Sequence, residues 1–457
     1  MHFDLVMKYS EGQFPEKIET ISTTSARYIT GCGSAEYGRW DPDSASKSKP
    51  LFLITPMTGN TKNLIQGLAD YWSTRLNYES GQGPVYYMIA GLWKQLGLFV
   101  IPVESCLLPY WIRFLNVFLI VLLVWISYKA ASLTFPGNNI MIIGVPLFAA
   151  ILPQDTFYSI QNDVLSPVLF GITLLSVIHL IRSHIPSVRW SVFAGISVSL
   201  SVLTKTSNLP LILLVVGYVT IKLFQLLRLE KFKTIRKPFI LFYVCALVPV
   251  CIWFAYNSLL FGDILASADK VEFLQWKFKS LNEWLNTSFL TSQGVFIFWK
   301  ELMATFWRGE FVWSSSRVAM PWADLYYWLS TFFLMVCAAL SLRNNQYEQQ
   351  NRIIRFCFLS FLALMFFMVF LSLCFEFPHN SYPSFEKPFF TSGRLMSGGL
   401  VPFLILYILG FDYLFSWIRN EKIKISILFF IALMITWSEI SISRVPFSSN
   451  YNFFAVF

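Results

Sequence analysis

Four short stretches of this chain place polar side chains beside long apolar runs, and they define the chemistry on offer. "YESGQGPVYY", residues 78–87, carries Glu79 and Gln82, then Tyr86 and Tyr87. "LPQDTFYSIQNDVLSP", residues 152–167, carries Asp155, Asn162 and Asp163. "LTKTSNLP", residues 203–210, sets Lys205 between two apolar runs. "FFTSGRLMSGGLVP", residues 389–402, sets Arg394 immediately before another. Polar groups at membrane depth are costly and mark function. Cations there suit phosphate oxygens, and a carboxylate serves as base toward an acceptor hydroxyl or amine. Acids and cations gathered at one interface would therefore suit a phosphate or diphosphate with a lipid tail. Each residue also has an ordinary alternative. Glu79 reads equally as a solvated loop acid, and Asn162 with Asp163 as a helix cap and a first-turn charge. Lys205 reads as a snorkelling lysine, and Arg394 as a helix-end anchor.

The elements that must position these residues are membrane helices. Of 457 residues 55% are hydrophobic and 13% charged, against about 25% charged in soluble domains. Apolar runs recur at 83–101, 109–131, 140–152, 160–181, 189–204, 207–227, 238–260, 322–342, 353–375, 395–417 and 424–440. A crossing needs about 20 apolar residues, and lipid leaves backbone polar groups no partner but their own helix. The expected fold is an all-α, polytopic helical membrane protein with about 10–11 transmembrane helices. Its organisation reads as a first external loop over 1–82, a transmembrane core over 83–260 and a second external loop over 261–321. C-terminal transmembrane helices over 322–440 and an external tail over 441–457 complete it. In the second loop "VEFLQWKFKSLNEWL", residues 271–285, has the spacing of an amphipathic interfacial helix.

The net charge of +9 lies in short connectors, which is the positive-inside bias and not a nucleic-acid footprint. Connectors 182–189, 222–237, 342–355 and 418–424 are basic and belong in the cytoplasm. That puts 153–160, 261–321 and 376–394 outside. If the loop ending at Gly83 is outside too, three crossings between 83 and 152 give the wrong parity. One run then fails to cross: 83–101, which carries Lys94 and Gln95, or the short 140–152. Five of the seven cysteines lie in apolar runs or at their ends and behave as small hydrophobes. Cys32 and Cys106 lie in connectors, and no disulfide between them is expected. Residues 1–80 are polar and open without a charged-then-apolar leader.

In this order, the stretches resemble the GT-C superfamily of integral-membrane glycosyltransferases, which use polyprenyl-phosphate sugars. The resemblance is nearest to the branch of the protein O-mannosyltransferases and the aminoarabinose transferase of lipid A. There the first external loop ends in Tyr-Glu-x-His-Gln-Pro-Pro-Leu-Tyr-Tyr; here it reads Tyr78-Glu79-Ser80-Gly81-Gln82-Gly83-Pro84-Val85-Tyr86-Tyr87. Gly81 and Gly83 replace the histidine and the first proline. Arg113 matches an arginine opening a later helix, and Asn162-Asp163-Val164-Leu165 an Asn-Asp-Ala-Leu pattern. Residues 203–207 match a Leu-x-Lys-x-Thr/Ser turn, "FWRGEFVW" at 306–313 loosely a large-loop pattern, and Gly393-Arg394-Leu395 a late Gly-Arg. The family's Asp-Glu-x-x-His-Phe/Tyr opening is met only from His2-Phe3, with Gly12 to Pro15 following at the family's spacing. The resemblance implies that a first transmembrane helix and the acidic pair holding the catalytic base precede Met1. It implies a misplaced start or a truncated gene, and a chain inactive as written unless another acid, Asp4 for one, substitutes.

The resemblance thus implies a multi-pass enzyme of the bacterial inner membrane. It would move a sugar from a polyprenyl-phosphate donor to a cell-envelope lipid, glycan or protein. His2, Gln82, Tyr86, Tyr87, Arg113, Asn162, Lys205 and Arg394 would bind substrate, with Glu79, Asp163 and Asp4 as weak candidates for the base. No cofactor is called for, and nothing demands a divalent metal. The alternative is a multi-pass transporter or lipid flippase, which would carry repeats around a midplane site; the sequence shows no internal symmetry. A structural membrane protein without chemistry is the third reading.

Overall fold

The computed structural model of the chain describes residues 1–32, 59–102, 105–152, 157–228, 232–285, 287–310, 312–313, 316–344, 347–377 and 389–448. Asp155 and most of the C-terminal tail lie outside the described residues. Among the described residues before 100, four helices form a layer: α1 (His2–Ser10), α2 (Thr23–Cys32), α3 (Gly59–Ser73) and α4 (Val85–Gly97). The bundle then runs through α5 (Leu107–Thr134), α6 (Asn139–Ile151), α7 (Ser166–Arg182), α8 (Val188–Thr204), α9 (Leu209–Leu227) and α10 (Phe232–Phe261). After a connection holding α11 (Ala268–Phe273), α12 (Leu281–Leu285) and α13 (Ser292–Arg308), it resumes with α14 (Pro321–Asn344) and α15 (Glu348–Cys374). It closes with α16 (Leu400–Leu414) and α17 (Glu421–Phe447). Among the described residues eight helices are long and apolar enough to cross a membrane, and α6 and α8 are shorter apolar helices beside them. The chain is an all-α, polytopic membrane protein.

Two spans make the centre. Those containing α7 and α16 have 83% and 89% of their apolar window buried, against 22–39% in the other six. Their sequences explain this: "SPVLFGITLLSVIHLIR" carries no acid and few long polar chains, and "LVPFLILYILGFDYL" is apolar nearly all round. A helix apolar on every side belongs inside. Small residues let its neighbours come close; on α7, Thr173 donates across to Ser197 of α8 at 2.9 Å.

The short helix α6 is explained by the chain that follows it. Thirteen residues rise only about 20 Å. Beyond it residues 157–165 dip into the bundle, where Asn116, buried on the third turn of α5, donates to the carbonyls of Phe157 at 2.8 Å and Ser159 at 3.0 Å. Non-helical backbone at membrane depth needs such protein partners.

The parity conflict is resolved at α4. Its start is pressed on Leu203, at the end of α8. Beyond its far end, Cys106 caps α5 and is joined to Cys32 of α2, with Cα atoms 5.3 Å apart. Both ends of α4 therefore lie at one end of the bundle, and the run 83–101 does not cross. Lys94 and Gln95 were the signal. Lys94 is buried and donates to the Ser10 hydroxyl at 2.8 Å, and Gln95 donates to the Ser10 carbonyl at 2.6 Å, closing the end of α1. The other face exposes Met88, Ile89, Leu92, Leu96 and Phe99, the pattern of a helix lying in an interface. Trp93 and Trp111 stack at 4.8 Å and each donates its indole N–H to the other's carbonyl at 2.8 Å, clamping α4 to α5.

Two further expectations are corrected. Cys32 and Cys106 form a disulfide; linear spacing concealed it, because the folding back of α4 is what brings residue 106 to residue 32. The segment 271–285 is not one amphipathic helix. Gln275 adopts φ 57° and ends α11, residues 277–278 pair with 375–376 as a two-residue ladder, and α12 follows.

From α5 onward the connectors alternate between two ends. The C-terminal ends of α7, α9, α14 and α16 share the end where Lys222 reaches the carbonyls of Leu180 and Ser183 and Lys424 pairs with Asp412 at 2.7 Å. The loops that carry the candidate residues lie at the opposite end.

Candidate functional site

Three ion pairs meet at that opposite end. Glu79 pairs with Lys270 of α11 at 2.7 Å. Asp163 pairs with Lys205. Arg394 lies 3.4 Å from Glu310, just beyond α13, and donates to Gln161 at 3.3 Å. Amides knit these pairs together: Gln82 donates to Glu79 at 2.8 Å, and Asn162 donates to Gln82 at 3.2 Å and to the Thr204 carbonyl at 2.9 Å. The cluster draws on five connections of the chain and alternates acid with cation.

Local sequence fixes each member. The 79–83 turn is tight because it has no side chains at two positions: a Cβ at Gly83 would overlap the Leu203 carbonyl, and one at Gly81 would overlap Ala266. The two departures from the resembled pattern are thus places where this chain packs backbone on backbone. Pro84 then precedes α4, where its missing N–H is harmless. Asp163 and Asn162 occupy a 3-10 turn, Asn162–Val164, that leads into α7. Lys205 is the first residue beyond α8. Asn208 ties this turn to the start of α7, donating to Ser166 at 2.6 Å and to the Ser201 carbonyl at 2.9 Å. Arg394 lies in the 3-10 turn Gly393–Gly399 before α16. Gly393 sits against the backbone of Thr305 and Phe306 and donates to the Thr305 hydroxyl at 3.0 Å, which orients the arginine toward Glu310.

His2 and the tyrosines form the inner wall. His2 Nδ1 and the Tyr87 hydroxyl are 2.7 Å apart, the two rings stack at 6.0 Å, and Tyr86 and Tyr87 are fully buried. Burial pushes the His2 imidazole down to about 3 against the pull of Glu79, so the ring is neutral at physiological pH. For Glu79 burial opposes ionisation, but the surrounding cations, Lys270 first, outweigh it and hold the carboxyl at about 2. Glu79 is therefore a full anion in this arrangement.

Not every expected residue joins the cluster. Asp4 is buried one layer away, accepting from Ser22 N at 2.9 Å and from Asn77 at 2.9 Å and pairing with Lys8 at 3.4 Å. Despite its own burial, these partners, Asn77 first, hold its carboxyl below the usual range. It fastens α1 to the 77–80 turn, whose Asn77 side chain also accepts from Glu79 N at 3.2 Å. Arg113 is exposed on α5, its guanidinium 5.4 Å from the centre of the Tyr110 ring. Gln82, Tyr86, Tyr87, Asn162, Asp163, Lys205 and Arg394 are gathered as described. Sequence reasoning missed Lys270, Glu310 and Gln161. Lys270 lies 191 residues from Glu79 in the stretch read as the second external loop, so no spacing rule could link them. Among the described residues no three His, Cys, Asp or Glu side chains converge as a metal site would need.

No family model and no curated protein matches the chain. Among solved structures it is similar to that of the Archaeoglobus fulgidus oligosaccharyltransferase tethered with an acceptor peptide, at 12% identity and a TM-score of 0.46. The match covers 99% of this chain and 55% of that one, so the chain spans about half the length of the protein it matches.

Proposed function

We propose that the chain is a membrane glycosyltransferase that takes a sugar from a polyprenyl phosphate and passes it to a cell-envelope lipid, glycan or protein. The observation that carries the reading is the cluster of Glu79, Asp163 and Glu310 interleaved with Lys270, Lys205 and Arg394 at one end of an apolar bundle. Cations at that depth suit a phosphate whose prenyl tail lies in lipid. Arg394, with 30% of its side chain exposed, and Lys270, with 20%, are the accessible ones; Lys205, at 7%, is the closed one. In the transfer, the acceptor oxygen bonds to the anomeric carbon. The bond from that carbon to the phosphate oxygen breaks, and its electron pair leaves on the polyprenyl phosphate. The acceptor proton passes to a carboxylate, and Glu79 is the candidate whose oxygens border the accessible cations. The basic connectors at the opposite end favour the cytosol for it, which supports a site facing outward, on this reading from a bacterial inner membrane.

The test is reconstitution of the purified chain with a radiolabelled polyprenyl-phosphate sugar and an envelope extract. Glu79→Gln and Arg394→Ala should each lower label transfer by about 100-fold at equal protein level. Transfer that survives both substitutions overturns the reading. Label crossing the vesicle without any new product would make the chain a carrier instead.

A further inference from the structure

Residues 262–276 are docked on the 79–83 turn by three separate contacts. Lys270 pairs with Glu79 at 2.7 Å, the Phe273 ring lies 5.0 Å from that of Tyr78, and Ala266 fills the space left by Gly81. The segment is preformed. Asp263 accepts from Leu265 N at 3.2 Å, from Ser267 N at 2.7 Å, from the Ser267 hydroxyl at 3.0 Å and from Ala268 N at 3.1 Å. Asn257 holds its approach by donating to the Ile264 carbonyl at 3.2 Å. Its two ends are also marked: Ala266 at φ 50° and Gln275 at φ 57° are the non-glycine residues in the left-handed region among the described residues. That region is costly for a side-chain-bearing residue and persists only where the surroundings hold it. Here the surroundings include the docking contact itself, since Ala266 is the residue that meets Gly81.

The three contacts differ in kind. The ring contact and the close approach are apolar and indifferent to charge. The ion pair is partly exposed, with 20% and 12% of the two side chains in contact with solvent, and an anion can compete for its cation. We propose that residues Ala266–Gln275 are a cover over the site, and that Lys270 is both its latch and the positioning residue for Glu79. With Lys270 in place Glu79 is pinned and its negative charge is balanced. An anionic headgroup that takes Lys270 loosens the cover and leaves Glu79 free to meet the acceptor. This last step rests on the phosphate-donor reading above; the cover and the latch do not. The step moves no covalent bond; one anion replaces another on the ammonium. It also accounts for Glu79's acidity: a carboxylate held at about 2 by Lys270 first is a poor proton acceptor, and loss of that cation raises its basicity when donor is present.

Ser80 offers a reporter independent of activity. It precedes Gly81, the residue that Ala266 meets, is 1% exposed, and donates its hydroxyl to the Asn77 carbonyl at 2.7 Å, so Ser80→Cys is close to isosteric. Labelling of that thiol by a water-soluble maleimide in the full-length reconstituted chain should be slow. Adding Lys270→Met should speed it about fivefold by raising the open population, and Lys270→Arg should keep it slow. Equal labelling rates with and without Lys270→Met overturn the latch; slow labelling with Lys270→Arg separates a lost charge from a misfolded variant. Polyprenyl phosphate without sugar is the second probe. Acceleration of the parent by it, but not of Lys270→Met, supports displacement by a lipid phosphate. A response to Lys270→Met with none to polyprenyl phosphate keeps the latch and overturns the displacement step, while the donor reading is decided by the transfer assay above.

Discussion

Two acid–cation pairs lie in one cluster and are built in opposite ways. Asp163 and Lys205 join the start of one helix to the end of the next, and their side chains are 2% and 7% exposed. Glu79 and Lys270 join two loops 191 residues apart and are 12% and 20% exposed. A buried pair has its charges compensated only by each other, so removing one strands the other. A partly exposed pair leaves some solvent to compensate, so its loss costs less. The deep pair is thus part of the frame, and the shallow pair is the part free to change hands.

The strongest way to break that contrast is Lys205→Met. It strands Asp163 and should cost about 3–5 kcal/mol of stability, read from thermal unfolding in detergent; a loss below about 1 kcal/mol would put the two pairs on one footing. The disulfide comes next, because it secures the loop side to which Glu79 belongs. Cys32→Ser should lose about 2–4 kcal/mol and abolish the mobility difference between reduced and non-reduced gels.

A third test uses pH. The His2 imidazole is pushed down to about 3 from an ordinary 6.5. Its contribution is therefore complete above pH 6.5 and shrinks as pH falls toward 3, because the unfolded chain binds the proton more readily. Moving from pH 7 to pH 5 should remove up to about 2 kcal/mol in the parent and distinctly less in His2→Gln. The smallest stability effect belongs to the shallow pair. Lys270→Met should cost about 1 kcal/mol or less while lowering sugar transfer. A double-mutant cycle with Glu79→Gln would show whether the two side chains act together.

The helices were legible because each apolar run carries its own evidence. The run 109–131 becomes α5 at Leu107–Thr134, and 189–204 becomes α8 at Val188–Thr204. Hydropathy needs no partner to be read. What failed depended on partners. The run 83–101 is long enough to read as a crossing, and Lys94 and Gln95 betray that its polar side closes the end of α1. Cys32 meets Cys106 because α4 folds back, which no spacing states. The helical reading of 271–285 broke at Gln275, whose left-handed backbone follows from docking and not from its own preference. The candidate residues gathered because each borders an apolar run at the same end. Lys270 borders none and was invisible; Glu310 borders none either, and lay unremarked inside the 306–313 pattern.

The two central helices also set an order of manufacture. The helix α16 follows α5 to α15 in the chain, so they are synthesised before the piece that fills their middle exists. The waiting assembly is well prepared. Its costly polar contacts, Asp163 with Lys205 and Thr173 with Ser197, lie among segments already made. The contacts kept for α16 include Gly144 against Ile408 and Gly171 against Val401, small and apolar surfaces that acyl chains cover at little cost. Lipid can therefore act as a temporary filling, displaced by α16 when it arrives, and Arg394 is carried in on the same segment as the last cation of the cluster.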